Sequence, residues 1–153
     1  MLPRLWGNDK SRPKKTGSLS ENGTGRVSDI DNETLNYLKW LGCSHVWYTG
    51  VIRHSTQEAV EGCMPSHPQF VKGKAGSPYS IMDYYDIDPD LAVNPNNRME
   101  EFEELVARIH EKGMKVIIDF VPNHLAREYK SLYMPFDVEE FGEYDDKNVT
   151  FSK

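Results

Sequence analysis

Asp119-Phe120-Val121-Pro122-Asn123-His124 places a carboxylate, an amide and an imidazole within six residues, with a proline to stiffen the chain between them. These are the donors and acceptors that bind a polar ligand, and a second constellation suggests which kind. Tyr79-Ser80-Ile81-Met82-Asp83-Tyr84-Tyr85-Asp86-Ile87-Asp88-Pro89 supplies aromatic rings whose flat faces suit the apolar face of a sugar. Both runs have plainer readings. Asp119 would cap a helix, Asn123 would satisfy a turn, His124 would be an ordinary core or surface histidine, and Tyr84 and Tyr85 would anchor a loop. Other chemistries find less support. Gly73-Lys74-Ala75-Gly76-Ser77 lacks the residue order of a phosphate-binding loop, and His45, His54, His67, His110 and His124 lack zinc spacing. Cys43 and Cys63 form no CxxC pair and read as free thiols.

Regular elements must hold these residues in place. Asp31 suits a helix N-cap, and Leu35, Leu38 and Leu41 recur at helical spacing until Gly42, which predicts a helix over 32–41. The β-branched and aromatic run Ser44–Thr49 predicts a strand. Asn97 with Glu100 resembles a capping pair for a second helix, whose apolar stripe is Met99, Phe102, Leu105, Val106 and Ile109 and whose end is Lys112-Gly113. Lys115–Val121 then reads as a strand buried on both faces. Helix, strand, helix, strand implies a parallel α/β sheet, with Asp119 at the carboxyl end of a strand, where ligands gather in such folds. Residues 7–30 read as a loop, and Leu2–Trp6 is a poor candidate for a further strand. The connection over 50–95 is far longer than the median of about 4–6 residues and reads as a functional loop or inserted lobe. Asp137–Asp146, with six carboxylates, shows no clean period.

Composition narrows the partner. At 153 residues, 38% hydrophobic and 27% charged, the chain has the make-up of one globular domain. A net charge of -6, with no basic run beyond Lys14-Lys15, argues against nucleic acid. No stretch of about 18 apolar residues exists to span a membrane, and Met1–Thr16 has no signal-peptide core, which leaves the compartment open with the cytoplasm as default.

The residues now quoted resemble the α-amylase superfamily, glycoside hydrolase family 13. Asp119–His124 is similar to its D-x-V-x-N-H region at the end of the third barrel strand. Tyr79–Pro89 is similar to its Y-x-x-x-D-Y-x-x-I-D-P stretch, and Tyr37–Gly42 to the Y-L-K-x-L-G that leads into the second strand. The resemblance spans about residues 35–125. It implies a partial (β/α)8 TIM barrel, with 1–125 holding the first strands and helices and 126–153 opening a domain B-like insert. A complete barrel takes about 250 residues, so the remainder is expected outside these 153.

The implied activity is hydrolysis of α-1,4-glucans or maltooligosaccharides with retention. The resemblance gives Tyr79 to stacking on the sugar and His124 to hydrogen-bonding its hydroxyls. Asp119 and Asp83 become supporting carboxylates, and Asn123 a possible calcium ligand, calcium being the one cofactor implied. No catalytic residue is expected in this segment. The nucleophile and acid/base belong to later strands, beyond Lys153, which predicts that the segment alone is inactive. The alternative is a non-catalytic carbohydrate-binding or interaction module built on an amylase-like barrel.

Overall fold

The computed structural model describes residues 1–60 and 62–141; the later parts of the acidic run Asp137–Asp146 and of the expected insert lie outside them. In chain order the elements are α1 (Leu19–Asn22), α2 (Asn32–Trp40), β1 (His45–Tyr48), β2 (Ile52–His54), β3 (Ile81–Ile87), α3 (Arg98–Glu111) and β4 (Lys115–Ile118).

Local chemistry sets the helix ends. The Asp31 carboxylate accepts from Thr34 N–H at 2.8 Å and starts α2, which stops at Gly42, whose φ of 85° favours glycine. α3 ends likewise at Gly113, φ 69°. The expected Asn97 cap does not form. Asn97 makes no side-chain cap bond, and Glu101 instead accepts from Val93 and Asn94 N–H at 2.7 and 2.8 Å, stapling the preceding turn to the helix. Residues 7–30 are not wholly irregular either: Ser18 and Glu21 form a reciprocal capping box on the single turn of α1.

β1 and β4 pair in parallel, with His45 opposite Lys115 and Tyr48 opposite Ile118. Val46 and Tyr48 on β1 pack with Leu35 of α2 and with Phe102, Leu105 and Ile109 of α3 in one continuous core. Met1 touches the same strand through its amino group, 2.6 Å from the Trp47 carbonyl oxygen, while Pro3–Leu5 turns away as a 3-10 helix. β4 is not buried on both faces. Among the described residues its only strand partner is β1, and Ile117 and Ile118 are exposed, as is Trp47. The apolar run is there, but the described residues provide no second layer to cover it.

The connection over 50–95 is more ordered than a loop. β2 and β3 form an irregular antiparallel pair, so Tyr79–Pro89, expected as loop, contains the longest strand of the structure's described residues. Ser55 and Gln57 N–H tie the intervening segment down by donating to the Ser80 and Lys74 carbonyls, both at 2.8 Å. Gly76, at φ 68°, lies so close to the Ser55 carbonyl oxygen that no side chain fits there.

Buried charges weld this pair to its surroundings. Asp86 accepts from Arg98 Nε at 2.7 Å and from Arg98 NH2 at 2.9 Å, and Arg53 NH1 stands 3.5 Å away. Arg4 reaches Asp90 at 2.8 Å. His54 Nδ1 lies 3.0 Å from Asp88 Oδ2 and 3.2 Å from the Ile52 carbonyl oxygen. Burial alone would disfavour charge on His54, but Asp88 outweighs it and lifts the imidazole above its ordinary 6.5. A histidine raised on folding contributes stability that is complete below its unfolded value and lost as pH rises through the folded one. Urea midpoints measured against pH are therefore expected to decline above 6.5, and His54→Gln is expected to flatten that decline. An unchanged slope in the variant would remove His54 as its source.

Candidate functional site

The ladder of β4 carries on for one residue, as Asp119 N–H donates to the Tyr48 carbonyl at 2.8 Å. The chain then leaves the sheet. Val121 turns inward, while Pro122, Asn123 and His124 face solvent. They line an open pocket of about 440 Å³ together with Tyr84, Phe120, Leu125 and Phe141. Asn123 and His124, on adjacent residues, thus meet in one concavity at the carboxyl end of a parallel strand, with aromatic rings beside them.

Aromatic packing builds the wall of this pocket. The Tyr84 ring centre is 5.2 Å from that of Phe120, 6.0 Å from Tyr129 and 6.2 Å from Phe141. Such spacings suit offset and edge contacts. The Tyr84 hydroxyl donates to the Val121 carbonyl, joining β3 to the exit of β4. Further along, Ala126 and Lys130 N–H donate to the Ile81 and Met82 carbonyls at 2.8 and 3.0 Å. The chain after β4 therefore lies along β3.

Asp83 anchors this arrangement. Fully buried, it accepts from Tyr85 N–H at 2.9 Å, from the Ser131 hydroxyl at 2.8 Å and from Leu132 N–H at 2.7 Å. Tyr79 stands apart. It is 50% exposed, its N–H donates to the Ser77 hydroxyl at 3.3 Å, and it is not among the residues lining the His124 pocket. The half-buried Asp119 side chain also joins no hydrogen bond among the described residues. Phe141, which no sequence motif singled out, completes the pocket across a long stretch of chain, and Ser131 reaches Asp83 in the same way. Neither has a local signal.

Asn123 offers one amide oxygen. Calcium takes about 6–8 oxygen ligands, and among the described residues no group of three or more His, Cys, Asp or Glu could hold a metal ion. A second pocket, of about 430 Å³ between the β2–β3 pair, α3 and β4, is lined mainly by apolar side chains such as Ile52, Phe102, Val106 and Ile118. Its Asp86 is already held by Arg98, so the chemistry converges on the His124 pocket. Among the described residues no helix is long and apolar enough to cross a membrane.

Known proteins resemble this chain at both the sequence and structural levels. It is 28% identical over 134 residues to the amino acid transporter heavy chain SLC3A1 of Homo sapiens, covering 88% of this chain and 16% of that protein. It is 33% identical over 118 residues to the trehalose-6-phosphate hydrolase of Bacillus subtilis, covering 77% of this chain and 17% of that protein. The crystal structure of Bacillus licheniformis trehalose-6-phosphate hydrolase superposes with a TM-score of 0.53 at 29% identity, over 85% of this chain and 17% of that one. The chain spans only a small part of the length of these relatives, and no closed barrel is formed among its described residues. The family profile of the alpha amylase catalytic domain matches residues 14–144, and the chain belongs to that family.

Proposed function

We propose that this segment is the amino-terminal part of the (β/α)8 catalytic barrel of a glycoside hydrolase that cleaves α-1,4-glucans or maltooligosaccharides with retention. One observation carries the reading: the family match over 14–144 coincides with a pocket at the carboxyl end of β4 lined by Asn123 and His124. Residues 1–125 belong to the barrel, and 126–153 open the insert that follows its third strand. In this reading His124 hydrogen-bonds the hydroxyls of the sugar at the cleavage point. Tyr79 stacks on that sugar, Asp119 supports the site from behind, and Asp83 fixes β3. Asn123 supplies one oxygen to a calcium ion whose other ligands come from outside the described residues.

Retaining hydrolysis needs a nucleophile and an acid/base about 5–5.5 Å apart, and the reading places both beyond Lys153. Assays on the longer parent protein test it. His124→Ala is expected to lower kcat/KM for maltooligosaccharides by a factor equivalent to about 1–3 kcal/mol, the worth of a hydrogen bond that strengthens in the transition state. Unchanged kinetic constants would take His124 out of the site.

The similarity to a transporter heavy chain favours one second reading, a barrel that serves as a binding or interaction module without catalysis. The same assay separates the two. A parent that releases no reducing sugar from maltooligosaccharides supports the module.

A further inference from the structure

We infer that Tyr84 is a positioning residue for the sugar site, a clamp on the strand exit that carries Asn123 and His124; this rests on the function proposed above. Three observations meet at this side chain. Its hydroxyl donates to the carbonyl of Val121, three residues before His124. Its ring packs against Phe120, immediately before Val121, at 5.2 Å. It also lines the same pocket as His124.

The geometry matters because of what is missing elsewhere. β4 ends at Ile118, and the last ladder bond to β1 is made by Asp119. From there to Ala126, whose N–H rejoins β3 at the Ile81 carbonyl, the Tyr84 hydroxyl makes the one cross-chain hydrogen bond to this stretch among the described residues. Asn123 and His124 hang between the two attachments, and neither side chain makes a hydrogen bond of its own among the described residues. A side chain that must present a ring nitrogen to a sugar hydroxyl loses effectiveness when its backbone wanders by even a fraction of a bond length. Tyr84 itself is steadied on its other side by Tyr129 and Phe141, at 6.0 and 6.2 Å. The hydroxyl thus fixes the backbone, and the ring cluster fixes the hydroxyl.

Tyr84→Phe in the parent protein removes the clamp bond and keeps the ring stack. Amide hydrogen exchange of Ala126, the one amide of 121–126 that donates a hydrogen bond among the described residues, is expected to quicken by about 3- to 10-fold, the loss of one ordinary hydrogen bond, with α3 unaffected. The value of kcat/KM on maltooligosaccharides is expected to fall by a similar factor. That fall is expected to vanish when His124 is already Ala, since the clamp then has nothing to aim; a merely structural role would give the same loss in both backgrounds. Unaltered exchange at Ala126 overturns the inference, and so do equal losses in the two backgrounds. A parent without turnover sinks the functional reading, and the exchange measurement then decides the clamp by itself.

Discussion

Asp86→Ala is expected to lower the unfolding free energy by about 3–5 kcal/mol, the loss seen when one partner of a buried ion pair is removed. Asp86 is 2% exposed and Arg98 4% exposed, and the guanidinium meets the carboxylate through two bonds at 2.7 and 2.9 Å. Arg53, also buried, stands 3.5 Å from the same carboxylate. Removing Asp86 therefore strands two cations out of water, and it also frees the Ile87 N–H that donates to Asp86 at 2.8 Å. Because α3 is tied to β3 at this point, the loss is cooperative. Urea unfolding followed by tryptophan fluorescence measures it, and a change under about 1 kcal/mol would show that solvent reaches the pair. Arg98→Met added to Asp86→Leu is expected to recover part of the loss, since well-packed apolar pairs often match the buried ion pairs they replace.

The second large effect is expected at Asp83. Asp83→Ala takes the acceptor from Tyr85 N–H, the Ser131 hydroxyl and Leu132 N–H at once. Leaving buried donors unsatisfied costs about 1–3 kcal/mol each when water cannot replace the partner. Part of that is relieved, because Ser131 and Leu132 are free to swing outward. The expected sum is about 3 kcal/mol in stability, with release of the segment that lies along β3. Trypsin reports the release directly, since Arg127 and Lys130 lie within that segment. Cleavage there is expected to become faster in the variant than at the exposed lysines near the amino end. Equal rates in variant and parent would mean that the bonds from Ala126 and Lys130 to β3 hold the segment without Asp83.

These two carboxylates show where the sequence was legible and where it was not. Helix α2 could be read because its determinants are neighbours: Asp31 caps Thr34, and Gly42 takes the positive φ that ends the helix. The parallel pairing of β1 with β4 followed from element order, which needs no knowledge of contacts. Strand β3 was hidden. With Asp83, Asp86 and Asp88 in or just after it, the run has the polarity of a loop, and only partners far along the chain make those charges tolerable inside. Arg98 neutralises Asp86, His54 stands beside Asp88, and Ser131 and Leu132 satisfy Asp83. None of those pairings leaves a periodic signal. The pocket divides the same way. Asn123 and His124 were visible as a dense polar motif, whereas Phe141 joins them through aromatic packing on Tyr84.

The parallel pairing also sets an order of events in time. Residues 45–48 meet residues 115–118 across a closure that contains the whole β2–β3 pair and α3. The entropy of such a closure grows only slowly with its length, but it must be met before any strand contact rewards it. α3 and the shorter-range pairing of β2 with β3 can form without β1 and β4, and the Arg98–Asp86 bond between them shortens the span still to be closed. The β4 exit that carries His124 is then among the last pieces to find its place, so the pocket it lines exists only once the chain around it has already folded.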